Sequence, residues 1–281
     1  MNRKVGVDGA ELFYTTHGTG HPLLLMHGGF GPDHSYFRPW CDALGDGIEL
    51  IYYDHRGGGR SSRLESFDGI THETLVDDAD RLRAHLGHQK IVLLGHSYGG
   101  MLALEYALRH PDRLDGMILC CTAPAWDYGD EIAVNAAARG TPHELAASAA
   151  LRQAPIGDDE TFRRLWVDIQ PLYFHRVDPA VIAAMDSRMR YSASAYDLSE
   201  VLLADFNISD TIQGITAPTL ILAGRHDWVT PPSQAARMQR ALPHATQVIF
   251  EESGHYPFVE EPRLFNETVS RWITALHERV K

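Results

Sequence analysis

The chain has 281 residues, of which 44% are hydrophobic and 22% are charged, and its 37 acidic and 25 basic side chains give a formal net charge of −12. This composition is typical of a globular protein and excludes a disordered or coiled-coil chain. A surface this acidic repels phosphate backbones, so we expect no nucleic-acid partner. The length suits one domain that carries an insertion, with a core large enough to fold without metal or disulfide.

Three cysteines are too few for a disulfide framework, and Cys120 and Cys121 are adjacent in an apolar run. This usage is typical of a reducing compartment. The first charged residues are not followed by the apolar segment of a signal peptide. There is also no uninterrupted apolar run of the roughly 18 residues that a membrane span requires. We therefore expect a soluble, cytoplasmic protein with no membrane partner, and the sequence leaves its oligomeric state open.

Short β-branched or aliphatic runs alternate with helical patterns in the first half of the chain, and these runs, with an opening strand at 11–17, predict a parallel sheet that is covered on both faces. They lie at 11–17, 22–26, 48–53, 91–94 and 117–121. Between the last two runs, a segment that is apolar on most of its helical faces predicts a buried crossover helix at 98–110.

The strand signal then disappears from residues 124–208, where alanine, arginine, aspartate and aromatic residues occur at helical spacing. Strands return at 219–222 and 247–250, and an amphipathic helix closes the chain. We therefore predict a core domain formed by residues 1–123 and 209–281, with a helical cap domain formed by residues 124–208.

The first motif with chemical meaning is Gly95-His96-Ser97-Tyr98-Gly99, which has the pattern G-x-S-x-G between a predicted strand and the buried helix. A sharp strand-to-helix turn lifts the serine hydroxyl above the sheet edge, and side chains two residues to either side would collide. The turn also directs a helix N-terminus toward developing negative charge. Ser97 is therefore the predicted nucleophile.

A serine hydroxyl becomes a nucleophile when a base removes its proton and a third group holds that base. His255 lies beside turn-forming residues after the last predicted strand, and it is the predicted base. Asp227 is the one carboxylate in the loop that follows the preceding strand, 223–231. The end of the strand after the nucleophile, 120–123, has no carboxylate that could compete for this role.

Hydrolysis of a carbonyl compound also requires donors for the oxyanion, and the loss of one donor typically costs about 10²–10³ in rate. The backbone N–H of Tyr98, directly after the nucleophile, is the first predicted donor. The second is the N–H of Gly29, within the segment His27-Gly28-Gly29-Phe30-Gly31 that follows a central strand. Glycines at 28 and 29 leave room for a substrate carbonyl.

These segments, with Tyr53-Asp54-His55-Arg56-Gly57-Gly58-Gly59-Arg60-Ser61, resemble the α/β-hydrolase superfamily over essentially the whole chain. The H-G-G-x-G loop and the D-x-x-G-x-G-x-S segment are similar to those of its proline iminopeptidase group. The resemblance implies an α/β-hydrolase fold, with a mostly parallel, doubly wound sheet and an inserted helical cap. It also implies the triad order Ser97, Asp227, His255.

Two departures argue against a literal proline iminopeptidase. Phe30 replaces the proline of that group's oxyanion loop, and the late cap at 191–196 has no carboxylate to hold a substrate amino terminus. Burial of an ammonium group without a partner is costly, which favours a neutral or acyl substrate. Asp197 and Glu200 remain open as partners for such an ammonium group.

Three aromatic residues adjoin the predicted mechanistic positions and predict an apolar substrate-binding pocket, namely Phe30, Trp228 and Tyr256. We therefore predict a serine hydrolase that cleaves a small, partly apolar carboxylic ester or lactone through an acyl-enzyme, without a cofactor. His85 and His88 lack a third ligand, so no metal site is expected. The alternatives are a proline iminopeptidase-type aminopeptidase and a non-catalytic ligand-binding protein of the same fold.

Overall fold

A computed structural model describes residues 3–153 and 155–278 of the chain. Its strands are β1 (Arg3–Val7), β2 (Ala10–His17), β3 (His21–Met26), β4 (Ile48–Tyr53), β5 (Ile91–His96), β6 (Leu114–Cys120), β7 (Thr219–Gly224) and β8 (Thr246–Phe250). Within the described residues they form one sheet in the order β1-β2-β4-β3-β5-β6-β7-β8. The β1–β2 and β2–β4 pairs are antiparallel, and the other pairs are parallel.

The α-helices of the described chain are α1 (His72–His85), α2 (Tyr98–Arg109), α3 (Gly129–Arg139), α4 (Pro142–Leu151), α5 (Asp159–Ile169), α6 (Pro179–Asp186), α7 (Ala193–Leu203), α8 (Pro232–Ala241), α9 (Pro257–Glu260) and α10 (Pro262–Glu278). None of them combines the length and the apolar character needed to cross a membrane.

The central strands of the sheet are apolar, and helices cover them. Every residue of β5 and the last four residues of β3 are buried, as expected for strands that do not face water on either side. Helix α2 is buried over most of its surface, including Leu102 and Tyr106. The predicted α/β-hydrolase fold, with its mostly parallel sheet, is confirmed.

Strand β1 is absent from the sequence-based prediction. It is an edge strand that pairs only with β2, and Val5 is its one buried residue. A strand that buries one side chain in five carries almost no hydrophobic periodicity, so the pattern could not reveal it.

Between β6 and β7 the chain forms helices α3 to α7. The two ends of this segment pair with each other, because Trp126 N–H donates to the Phe206 carbonyl and Ile208 N–H donates to the Pro124 carbonyl, at 2.8 and 2.9 Å. These paired ends support our proposal that residues 124–208 form a separate cap domain on a core of residues 1–123 and 209–281.

Candidate active site

Ser97 lies in the sharp turn between β5 and α2, with φ of 54° and ψ of −124°. This region is unfavourable for a residue that has a Cβ atom, and such strain is concentrated at functional sites. A Cβ atom on Gly95 would collide with the Gly99 carbonyl oxygen, and one on Gly99 would collide with the Met26 carbonyl oxygen. Both glycines are therefore needed for the turn that presents the serine.

Asp227 and His255 meet at the carboxyl ends of β7 and β8. The Nδ1 atom of His255 lies 2.7 Å from Oδ2 of Asp227, and both side chains are buried. The carboxylate also accepts hydrogen bonds from the backbone N–H groups of Val229 and Thr230 and from the Thr230 hydroxyl. Since a carboxylate accepts and Nδ1 donates, the neutral imidazole in this tautomer has a lone pair on Nε2 that can accept a proton.

Ser97 and His255 line the same cavity. Among the described residues, the Ser97 hydroxyl makes no hydrogen bond to the imidazole. The turn itself is held by the Ser97 backbone, whose N–H donates to the Cys120 carbonyl and whose carbonyl accepts from the Gly100 N–H and the Thr122 hydroxyl. Catalytic hydrogen bonds are often long before substrate arrives and tighten during the reaction. The two side chains thus share one space but are not hydrogen-bonded.

The loop after β3 brings Gly29 to the cavity, where it lies together with Tyr98. His27 Nδ1 lies 2.9 Å from the Gly28 carbonyl oxygen, so Nδ1 is the donor. The peptide bond is planar and trans, so the N–H of Gly29 points away from that carbonyl. Gly29 has a positive φ of 30°, a conformation that glycine adopts without strain.

The cavity above these groups has a volume of about 190 Å³. Its core side carries Ser97, His255, Gly29 and Tyr98, and its cap side is mostly apolar. The apolar cap residues that line it are Trp126, Ile132, Leu151, Trp166, Ile169, Met189 and Leu203.

Two charged side chains of the cap, Arg152 and Glu200, also line the cavity. Burial raises the pKa of the Glu200 carboxyl, while a hydrogen bond from Tyr196 and the charge of Arg152 act in the opposite direction. The cavity therefore has a charged region in the cap besides its apolar wall.

Residues 21–262 match the model of a protein family described by the α/β-hydrolase fold. The chain belongs to this family. Among its relatives is proline iminopeptidase PfmaB of Pestalotiopsis fici, which is 29% identical over 92% of this chain and 94% of its own length. A thermophilic esterase from Thermogutta terrifontis shares the structure with a TM-score of 0.78 and 28% identity, over 99% of both chains. The esterase EaEST from Exiguobacterium antarcticum has a TM-score of 0.81 at 24% identity, over 98% of this chain and all of its own.

Two of the three aromatic residues predicted to contact substrate line the cavity of this α/β hydrolase. Trp228 packs edge-on against Tyr173 with ring centroids 5.5 Å apart, and Tyr256 lies 5.8 Å from the same ring. Phe30 does not line it, contrary to the expectation from the sequence. Its side chain is buried against the rings of His55 and Tyr98, each 4.8 Å away, because the loop turns at Gly29 and directs the next side chain into the core.

Several residues of the hydrolase site were not predicted from sequence. Tyr36 and His96 line the cavity and are hydrogen-bonded to each other at 2.8 Å. His96 is the first x of the G-x-S-x-G motif, so its position was visible but its partner was not. Trp166 and Glu200 come from the cap, and Glu200 was left open in the sequence because spacing alone does not show which cap side chains face inward.

Two clusters of ligand-type side chains are buried in the described chain: Cys121 with Asp227 and His255, and Asp33 with His34 and Asp54. In the second cluster His34 binds Asp54 at 2.5 Å through Nδ1. The carboxylates of both clusters are already engaged in hydrogen bonds within the protein, and we interpret both as internal polar networks.

Proposed function

We propose that this α/β hydrolase is a serine hydrolase that cleaves carboxylic esters or lactones of small, partly apolar substrates through an acyl-enzyme. The observation that carries the proposal is the 2.7 Å hydrogen bond between buried Asp227 and His255. His255 lines the same cavity as Ser97. A base held in one tautomer, beside a serine on a strained turn, suits nucleophilic catalysis.

In the proposed reaction the Ser97 hydroxyl attacks the substrate carbonyl while Nε2 of His255 accepts its proton. Asp227 stabilises the imidazolium that forms, and the N–H groups of Gly29 and Tyr98 hold the oxyanion. The imidazolium then donates its proton to the departing alkoxide, which leaves an ester between the acyl group and Ser97. A water molecule, deprotonated by His255, hydrolyses this ester and regenerates the serine.

The proposed substrate class rests on the shape and chemistry of the cavity. A volume of about 190 Å³ suits a small acyl or alcohol group. Tryptophan, isoleucine, leucine and methionine side chains form most of its cap wall, and an apolar group buried there is stabilised by about 25 cal/mol per Å². The likeness of this chain to the thermophilic esterase from Thermogutta terrifontis, at 28% identity, supports ester cleavage.

The first test compares the wild type with Ser97→Ala on a panel of p-nitrophenyl esters and small lactones. We expect the variant to lose at least about 10³ in kcat while its thermal unfolding stays the same. Ser187→Ala, which changes an exposed serine of the cap surface, is the matched control and keeps full activity. Substantial esterase activity in Ser97→Ala would remove this residue from its role.

An aminopeptidase of the proline iminopeptidase type is the second candidate, and Glu200 is the observation that favours it. Its carboxylate lines the cavity, where it could pair with a substrate ammonium group, while Arg152 offsets part of its charge. Comparison of p-nitrophenyl esters with proline p-nitroanilide separates the two candidates. If the proline amide alone is hydrolysed, and Glu200→Gln abolishes its hydrolysis, the ester proposal is wrong.

Labelling by a fluorophosphonate probe separates both candidates from a ligand-binding protein without catalysis. An activated Ser97 forms a covalent adduct with the probe, whereas an unactivated serine does not.

A cytoplasmic location, the absence of a cofactor or metal, and the absence of nucleic-acid and membrane partners stay predictions from the sequence.

A further inference from the structure

One line of hydrogen bonds connects three loops of the site. The N–H of Gly28 lies 2.6 Å from the Tyr36 hydroxyl, and this hydroxyl lies 2.8 Å from Nδ1 of His96. On the other side of the same ring, Nε2 of His96 lies 2.9 Å from the carbonyl oxygen of His255. The line therefore runs from the proposed oxyanion loop, past the proposed nucleophile, to the proposed base.

The chemistry of its two ends gives every bond in the line one direction. The His255 carbonyl can only accept, so Nε2 of His96 carries the proton and Nδ1 is the acceptor. The Tyr36 hydroxyl must then donate to Nδ1, which leaves its oxygen to accept the N–H of Gly28. A neutral His96 with its proton on Nε2 satisfies all three bonds. Movement of that proton to Nδ1 would break the bond to the His255 carbonyl, and a second proton on Nδ1 would break the bond from the Tyr36 hydroxyl.

The surroundings of His96 hold it in this state. Aromatic rings of Phe37, Tyr256 and Phe258 lie within 6 Å of the imidazole, centroid to centroid. Burial lowers the pKa of His96 well below its usual range, and the neighbouring His255 lowers it further. The ring is thus neutral at the pH where the enzyme would act, and it cannot compete with His255 for a proton.

We propose that Tyr36 and His96 are positioning residues that set the spacing between the oxyanion loop, Ser97 and His255. This inference rests on the proposed function, because it assigns the two residues to the geometry of that reaction. They transfer no proton to the substrate. Their hydroxyl and imidazole form a hydrogen-bonded pair that holds Gly28 N–H at one end and His255 C=O at the other. His96 directly precedes Ser97 in the chain.

The first variant is Tyr36→Phe, which removes one oxygen atom and leaves the ring in place. We expect kcat on the best ester of the panel to fall about 10- to 100-fold, since misplacement of reacting groups by about 1 Å costs up to about 10² in rate. KM should change far less than kcat, because the Tyr36 ring stays in place and the apolar cap side of the cavity is untouched. The rate of fluorophosphonate labelling should fall with kcat.

The matched control is Tyr106→Phe. Its hydroxyl is also hydrogen-bonded, to Asp80 at 2.7 Å, but it lies between helices α1 and α2 and outside the cavity. Both variants lose one tyrosine hydroxyl that has a protein partner, so a purely structural role predicts similar behaviour. We expect Tyr106→Phe to keep kcat within about twofold of the wild type.

A second pair of variants separates the two ends of the line. Glutamine at position 96 can place its amide N–H near the former Nε2 and keep the bond to His255, whereas asparagine is too short and reaches only the former Nδ1 position. We expect His96→Gln to keep at least about tenfold more kcat than His96→Asn. Thermal unfolding of each variant shows whether it is folded. If neither His96 variant folds, Tyr36→Phe still tests the proposal.

The outcomes distinguish this inference from the proposed function. Activity that survives in Ser97→Ala overturns the proposed function itself. If Ser97→Ala is inactive while Tyr36→Phe keeps a kcat equal to that of Tyr106→Phe, the positioning role alone is wrong. Equal activity of His96→Gln and His96→Asn would likewise show that the bond to the His255 carbonyl does not position the base.

Discussion

At the scale of single residues, the strained turn at Ser97 depends on two glycines that flank it. Gly99 approaches the carbonyl oxygens of Met26 and His27 so closely that a methyl group has no space. The nucleophile turn therefore packs directly against the end of β3, the strand that leads into the proposed oxyanion loop. Packing of backbone against backbone, without any side chain, sets the height of Ser97 above the sheet.

We predict that Gly99→Ala lowers the free energy of unfolding by about 1–3 kcal/mol or more, because overpacked interiors must shift their backbone. Ester hydrolysis should fall with it, since the turn moves. Gly214→Ala is the control, because a Cβ atom there meets nothing within 4 Å. Thermal or urea unfolding of the two variants measures the difference, and equal stability would show that the turn relaxes freely.

Asp227 provides a second prediction at this scale. Asp227→Asn retains the shape of the side chain but removes the charge that stabilises an imidazolium, and its amide N–H can force the other tautomer on His255. We expect kcat to fall by about 10³–10⁴. Asp205→Asn, a change at an exposed carboxylate, should have no effect. A loss below about tenfold in Asp227→Asn would exclude it as the orienting acid.

At the scale of elements, the cap helices do more than cover the cavity. In α5, Phe162 packs on Gly31, where a Cβ atom would collide with its ring, and Trp166 lies beside Gly29. On the other side, the carbonyl of Tyr173 accepts the backbone N–H of His255 at 2.7 Å. The cap thus contacts both the proposed oxyanion loop and the proposed base loop, so cap and catalytic geometry are coupled.

We predict that Trp166→Ala shifts acyl preference toward longer chains. Removal of the indole enlarges the cavity at its cap wall, and hydrophobic pockets discriminate by size at roughly tenfold or more per group. The ratio of kcat/KM for p-nitrophenyl octanoate over acetate should therefore rise about tenfold. Trp272→Ala, which changes a residue of α10 that does not line the cavity, should leave the ratio unchanged. An unaltered ratio in Trp166→Ala would show that the indole does not limit the acyl site.

At the scale of the whole molecule, buried histidines make stability depend on pH. Burial lowers the pKa of His55 to about 4, against a backbone hydrogen bond and the nearby Asp54 that raise it, while an unfolded chain has a histidine pKa of about 6.5. Between these values the unfolded state binds the proton and the folded state does not. Above about pH 6.5 neither state binds this proton, so the free energy of unfolding is at its full value. As the pH falls to about 4, protonation of His55 in the unfolded chain lowers the free energy of unfolding by about 3 kcal/mol.

Urea unfolding at intervals between pH 7 and 4 measures this effect. His55→Gln should flatten the dependence of the unfolding free energy on pH relative to the wild type. His143→Gln removes a histidine whose side chain is 73% exposed and should leave the dependence unchanged. Parallel curves for His55→Gln and the wild type would contradict a neutral, buried His55.

The proposed triad and the strands other than β1 could be predicted because their signals are local. Strand β4 was predicted at its observed bounds, Ile48–Tyr53, since all of its residues except Glu49 are aliphatic or aromatic and buried, as in a strand covered on both faces. The acid and base were found by their places after strands, and the structure brings Asp227 and His255 within hydrogen-bond distance. Parallel strands end at one edge of a sheet, so position in sequence indicates position in the site.

The sequence by itself determined the fold class, the helical segment between β6 and β7 and the chemical character of the proposed catalytic groups, because periodicity and turn chemistry act between near neighbours. Tertiary structure alone decided that Phe30 is buried outside the cavity, that Glu200 lines it, and that Tyr36 meets His96. Each of these depends on contacts between residues far apart in the chain, and no local pattern encodes which side chains meet when helices of the cap pack onto loops of the core.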